Sequence, residues 1–219
     1  MDTKIFLEGL KKDLEGLLAK LKPNDTLVEE SRGKLEIPVL LKIALKNEME
    51  ATLVGARWVD NTPETFCKLA FARQVGDESK HYRLIEGRLK ELGVSLDDFD
   101  PLKPTLSPLT EYLLGLNTTI EKAAAGPFAR ESIAVVKNAQ FISLLKEKGD
   151  LATAKLYEDT IQVDEAYHHQ LGEDLLLRLV KTGEDQMRVT AAVEKTLGLA
   201  EELTRLAAEK KGLVRAPGC

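Results

Sequence analysis

Two five-residue strings, Asp77-Glu78-Ser79-Lys80-His81 and Asp164-Glu165-Ala166-Tyr167-His168, share the pattern D-E-x-x-H. They hold two of the three histidines in the chain, and the third, His169, adjoins the second string. On a helix, a Glu and a His three residues apart lie on nearly the same side, one turn from each other. A carboxylate oxygen and an imidazole nitrogen so placed can bind one metal ion. Two such helices facing each other can hold two. One E-x-x-H alone is commonly just an intrahelical pair, so the weight rests on the repetition and on the elements around it.

Those elements read as helices almost throughout. Ile5, Phe6, Leu10, Leu14, Leu17, Leu18 and Leu21 form an apolar stripe with helical period, ended by Pro23-Asn24-Asp25. A second helix is expected from about Ile37 to Val59. Asp60-Asn61-Thr62-Pro63 breaks it and starts the next, with Thr62 as a cap and Pro63 in the first turn. The third helix carries the first D-E-x-x-H and stops at Gly93. Pro101, Pro104 and Pro108 mark residues 95–108 as a crossover. A fourth helix is expected from about Leu109 to Lys148, interrupted where Pro127 of Gly126-Pro127 cannot donate the intrahelical bond. After the Gly149-Asp150 turn, a fifth helix to about Val180 carries the second string, and a last one spans about 184–210. A long helix, a short turn and a long helix with D-E-x-x-H thus occur twice around a proline-rich crossover. This is the layout of an all-α four-helix bundle with one long connection. The bundle is expected over about 35–180 within a single domain of 219 residues, flanked by helices at about 4–22 and 184–210.

Two E-x-x-H pairs need carboxylates from the partner helices. Glu131 lies 18 residues before Gly149, whereas Glu165 and His168 lie 16 and 19 after it. Equal distance from the turn of an antiparallel hairpin means equal height, and at about 1.5 Å per residue these match to a few ångströms. In the first half the choice lies between Glu48 and Glu50. Glu48 aligns with Leu41, Ala44, Leu45, Thr52 and Gly55, the apolar stripe, where a charge is costly unless paired or bound to metal. Glu50 aligns with Lys46, Asn47 and Arg57, which reads as a surface or rim position. Glu48 is therefore the preferred ligand and Glu50 the alternative. Asp77 and Asp164 sit one step from the ligands and can reach across to the opposite histidine. Metal-bound imidazoles commonly donate their second N–H to such an acceptor.

Composition narrows the class. Apolar residues make up 43% and charged residues 31%, an ordinary globular balance, and aromatic residues only 5%, which favours helix over sheet. A net charge of -5 gives no global pull toward nucleic acid or membranes. Cys67 and Cys219 are too few for a disulfide framework and form no C-x-x-C pair, which excludes a rubredoxin-type centre. No apolar run reaches the roughly 18 residues of a membrane span, and the N-terminus lacks a signal-peptide pattern. A cytoplasmic setting is the expectation. His169 reads as an outer or surface residue, Tyr82, Tyr157 and Tyr167 as core or outer residues, Cys67 as a small buried one, and Trp58 as closing the end of the bundle.

The set Glu48, Glu78-x-x-His81, Glu131 and Glu165-x-x-His168 resembles the ferritin-like di-iron carboxylate superfamily, over roughly residues 35 to 180. Asp164-Glu165-x-x-His168-x-x-x-Gly172-Glu173 and Glu48-Met49-Glu50-Ala51 look similar to segments of aldehyde-deformylating oxygenases. The doubled string also resembles multicomponent monooxygenases and acyl-CoA epoxidases. Two departures limit the likeness. The position of the radical tyrosine of ribonucleotide reductase small subunits, four residues after the first ligand histidine, is Ile85 here. The flanking helices speak against a storage ferritin.

Hard carboxylates with two imidazoles suit iron or manganese better than structural zinc. The resemblance implies two Fe ions, with Mn at one or both positions as the variant, and an oxidoreductase acting with dioxygen or peroxide on a small organic or acyl-chain substrate. Electrons would come from an external donor protein, and a second copy of the chain is a further candidate partner. No nucleic acid or membrane partner is expected. Three other readings stand beside this one: a ferroxidase or iron-binding protein, a peroxide-detoxifying protein of rubrerythrin or manganese-catalase type, and a non-enzymatic helical module with a buried polar network.

Overall fold

The computed structural model describes residues 2–19 and 36–211. All regular structure among the described residues is helical: α1 (Thr3–Ala19), α2 (Ile37–Asp60), α3 (Thr65–Glu91), α4 (Pro108–Leu114), α5 (Thr119–Ala123), α6 (Glu131–Glu147), α7 (Leu151–Leu156), α8 (Gln162–Leu179) and α9 (Gly183–Lys211). A π-helical segment, Ala124–Arg130, joins α5 to α6, and a second, Tyr157–Ile161, joins α7 to α8. The stop expected at Pro23-Asn24-Asp25 lies outside the described residues.

Local chemistry explains the boundaries. Pro38 sits in the first turn of α2, where a missing N–H costs nothing. Gly93 takes the left-handed conformation (φ 74°) that ends a helix without the clash a Cβ would bring. Ser107 caps α4 by accepting the Thr110 N–H, and Asp150 caps α7 by accepting the Thr153 N–H. Asp150 also binds Arg88, which ties the α6–α7 turn to α3 at 2.8 Å.

The fourth expected helix differs in two places. It breaks early, at Gly115–Asn117, where Gly115 closes α4 and Thr118 caps α5 by accepting the Glu121 N–H. It does not break at Gly126-Pro127. A wider π turn accommodates the proline, and the Glu131 N–H reaches back five residues to the Gly126 carbonyl. Glu50 differs as well. It is buried rather than on the surface, and it latches the end of the crossover. Its Oε1 accepts the Ser107 N–H at 3.1 Å and pairs with Lys46 at 2.8 Å, while its Oε2 accepts the Thr110 hydroxyl at 2.5 Å.

Two helical hairpins make up the body, α2 packed on α3 and α6 packed on α8, with contact between α3 and α8. The first π segment lies against α8 and α9. Glycine permits this approach: a Cβ at Gly172 would stand 2.4 Å from the Phe128 nitrogen, too close for any side chain. At the same crossing His169 donates from Nδ1 to the Phe128 carbonyl at 2.8 Å. Trp58 is buried, packs at a tilt of 56° against the Phe71 ring and donates to the Leu113 carbonyl at 3.1 Å. Helix α1 adds Leu7, Leu10, Leu14 and Leu18 to the core and is fastened by a 2.8 Å Lys11–Glu173 ion pair.

The core divides into two apolar clusters. One gathers the α1 leucines, Val54, Trp58, Phe71, Phe128, Ile133, Leu175 and the inner face of α9. The other gathers Leu40, Leu41, Leu45, Ile85, Leu89, Phe141, Tyr157 and Ile161. Along α2, α3 and α8 the buried Glu and His residues fall between the stretches that feed these clusters, whereas Glu131 of α6 sits at the edge of the first cluster, between Ala129 and Ile133. Among the described residues no helix is long and apolar enough to cross a membrane.

Candidate metal centre

Four helices each bring a carboxylate to one place. Glu48 comes from α2, Glu78 with His81 from α3, Glu131 from the first residue of α6, and Glu165 with His168 from α8. None of the six is more than 4% exposed. A charged group so placed needs a partner of opposite charge or a metal ion.

The donors form two overlapping groups. Glu48, Glu78, His81 and Glu165 offer ligand atoms that all lie within 4.8 Å of one another, and so do Glu78, Glu131, Glu165 and His168. Glu78 and Glu165 belong to both, so each can span two positions, while Glu48 with His81 and Glu131 with His168 serve one position each. Both histidines turn Nδ1 inward. His81 Nδ1 lies 3.4 Å from Glu48 and Glu78, and His168 Nδ1 lies 3.3 Å from Glu165 and 3.6 Å from Glu78.

The donor set fits a bound cation. Glu78 Oε2, Glu131 Oε2 and His81 Nδ1 are buried without a hydrogen-bond partner. Orphaned buried atoms are rare because each forfeits its hydration. All three belong to residues of the two donor groups, and Glu78 is common to both, so a cation in either group would meet an otherwise unpartnered atom.

The outer contacts cross between hairpins. His81 Nε2 bonds Asp164 at 3.0 Å, and His168 Nε2 bonds Asp77 at 3.2 Å. A carboxylate accepts only, so each Nε2 carries the proton and each Nδ1 turns a lone pair inward. Lys80 binds both aspartates, Asp164 at 2.5 Å and Asp77 at 3.5 Å. Burial alone would raise Asp164, but its bonds to Lys80 and His81 hold it below the usual carboxylate range.

The inner carboxylates respond to one another. Burial, aided by neighbouring Glu78, pushes Glu48 up to about 7, and burial pushes Glu165 well above the usual range as well. Glu78 goes the other way: burial opposes its ionisation, yet the contact with His81 and the charges of His168 and Arg130 outweigh it. Burial would deprotonate His81, but Glu48 and Glu78 outweigh that and raise it to about 11.

Three residues beside the cluster carry no sequence signature. Gln74, one turn before Glu78, donates to Glu131 Oε1 at 2.6 Å and to Glu78 Oε1 at 3.4 Å. Arg130 donates to the same Glu131 Oε1 at 3.0 Å. Tyr157 is buried with its hydroxyl unpartnered, and burial plus the charges of Glu48 and Glu165 raise its pKa well above the usual value. The sequence reading of Tyr157 as a core or outer residue does not relate it to Glu48. No motif or spacing singles out Gln74, whose bonds to Glu131 and Glu78 arise only from packing. Tyr167, by contrast, is 40% exposed; its ring lies under the Arg73 guanidinium and meets the His168 ring edge-on, with centroids 6.2 Å apart.

Comparison with protein-family models, with curated proteins and with solved structures returns no match to this chain.

Proposed function

We propose that this chain is a ferritin-like, non-haem di-metal oxidoreductase that activates dioxygen or peroxide at a carboxylate-bridged pair of iron ions, with manganese as the variant. The observation that carries the reading is the sharing of Glu78 and Glu165 between two donor groups. Glu48 and His81 would complete one position, and Glu131 and His168 the other. Oxygen-rich ligation with one imidazole per ion suits iron or manganese. Such ions, when bound, supply two-electron redox chemistry toward dioxygen or peroxide.

The rest is done by the chain. Asp77 and Asp164 hold the Nε2 protons of His168 and His81 and fix both rings. The two apolar clusters exclude bulk water and lower the local dielectric. A small organic or acyl-chain compound is the substrate class we favour, with electrons from an external donor protein. A second reading, a ferroxidase or peroxide-removing protein, is favoured by one observation. The cavity beside Glu131 measures about 10 Å³, room for one water-sized molecule.

Elemental analysis combined with anomalous scattering from crystals tests the proposal. Two ions per chain, bridged by Glu78 and Glu165, are expected. A fully loaded protein holding less than one ion per chain would leave a helical module with a buried polar network as the better reading. Substrate identity follows from product analysis under dioxygen and under peroxide.

A further inference from the structure

Tyr157 is the largest fully buried side chain among the described residues, and its hydroxyl has no hydrogen-bond partner. Buried tyrosines ordinarily satisfy that hydroxyl, and leaving it bare forfeits its hydration. A phenylalanine would fill the same space without that loss. The ring is held in place: it meets Phe141 edge-on, with centroids 5.0 Å apart, and it opens a π-helical segment, an irregularity that often marks a functional site. The other buried members of its cluster are Leu, Ile, Ala and Phe, none of which offers a side-chain acceptor.

That cluster closes over one of the two donor groups. Ala44 and Leu45 stand one turn before Glu48, Ile85 one turn after His81, and Ile161 one turn before Glu165. Glu48, His81 and Glu165 all belong to the group completed by Glu78. Glu131 instead adjoins Ala129 and Ile133 of the first cluster. Tyr157 shares a buried stripe with Ile161, Glu165 and His168. The charges that act on its hydroxyl are those of Glu48 and Glu165, which together with burial keep it protonated and therefore a donor at neutral pH. Neither carboxylate accepts a hydrogen bond from it.

Resting on the di-metal reading, we propose that the Tyr157 hydroxyl is the hydrogen-bond donor to a small exogenous ligand on the metal ion held by Glu48 and His81. The ligand class is a diatomic with an acceptor atom, which dioxygen and peroxide both are. Such a ligand supplies the acceptor that the apolar cluster lacks. The two metal positions are then unequal: the hydroxyl serves the position of Glu48, whereas Gln74 and Arg130 bond Glu131 at the other.

The test compares the wild-type chain with Tyr157→Phe, using nitric oxide as the probe, a neutral diatomic that binds ferrous ions and accepts a hydrogen bond. Metal-free Tyr157→Phe is expected to melt no lower than wild type, because the substitution removes an unpaired polar atom and keeps the ring. It should still bind two ferrous ions per chain. Its nitric oxide affinity is expected to fall about two- to tenfold, the effect of losing one neutral hydrogen bond. The N–O stretching band should move to higher frequency, since a donor to the ligand draws charge onto it and weakens its bond. Tyr82→Phe, a partly buried ring beside the same cluster, should leave both affinity and band unchanged. A lower melting temperature of metal-free Tyr157→Phe would mean that the hydroxyl is satisfied within the chain and would overturn the proposal. So would unchanged nitric oxide affinity and band with two ions bound, an equal effect of Tyr82→Phe, or a two-iron wild-type protein that binds no nitric oxide. Each of these leaves the di-metal reading intact. Wild-type protein that takes up fewer than two ferrous ions would instead overturn the di-metal reading and, with it, the role of Tyr157.

Discussion

Asp77 and Asp164 show how much a residue outside the inner set can decide. Each accepts the Nε2 proton of a histidine on the other hairpin. Asp77→Asn and Asp164→Asn are expected to lower affinity at the facing position by about 10- to 100-fold, the usual effect of losing such a partner. Competition against a coloured chelator measures it. Glu48 and His81 set a pH dependence of opposite sense with and without metal. Both bind a proton more tightly in the folded protein, Glu48 at about 7 against 4.5 and His81 at about 11 against 6.5. For each, the stabilisation is complete below the lower value and is lost as pH rises toward the higher one. Metal-free protein should therefore lose thermal stability steadily from about pH 5 to 9. Metal must displace these same protons, so its affinity should rise across that window. A melting series with and without metal reads both trends, and a metal-free protein that gains stability with pH would contradict them.

At the scale of the elements, the two π segments matter most. Each lies just before a glutamate of the buried cluster, Glu131 directly after Ala124–Arg130 and Glu165 four residues after Tyr157–Ile161. A π turn inserts a residue and rotates everything beyond it by about 100° relative to a straight α-helix. Gly172 lets α8 seat against the first of them. Gly172→Ala would place a methyl group 2.4 Å from backbone that cannot yield as a side-chain tip can. We expect a loss of at least 1–3 kcal/mol by denaturant unfolding, about that of a forced core insertion, together with weakened metal uptake at the Glu131 position. This is also where reading the sequence runs short. The six Glu and His positions stand out because helical spacing and distance from the Gly149 turn depend on the chain alone. The proline at 127 announces an irregularity, but not that the helix widens rather than stops. Glu50 reads as a rim residue because its partners, Ser107 and Thr110, sit 57 and 60 residues away across the crossover. Gln74 and Arg130 are invisible for the same reason: what matters about them is a shared oxygen on Glu131, which only the packing of two hairpins creates.

For the molecule as a whole, a band of buried charge separates two apolar clusters, and the band is the weaker layer until something neutralises it. Removing metal by chelation should lower the melting temperature without abolishing the helical far-UV signal. Free metal at a hundred times its dissociation constant contributes about 2.7 kcal/mol. The crossed Asp–His contacts extend this to the connectivity of the chain. Neither hairpin owns a finished half of the centre, since each exports the proton acceptor its counterpart needs. Severing the crossover within 95–107 should give two fragments that are poor chelators separately and recover tight uptake on mixing. On the di-metal reading the centre would proofread assembly, because only a correctly mated pair of halves would retain ions.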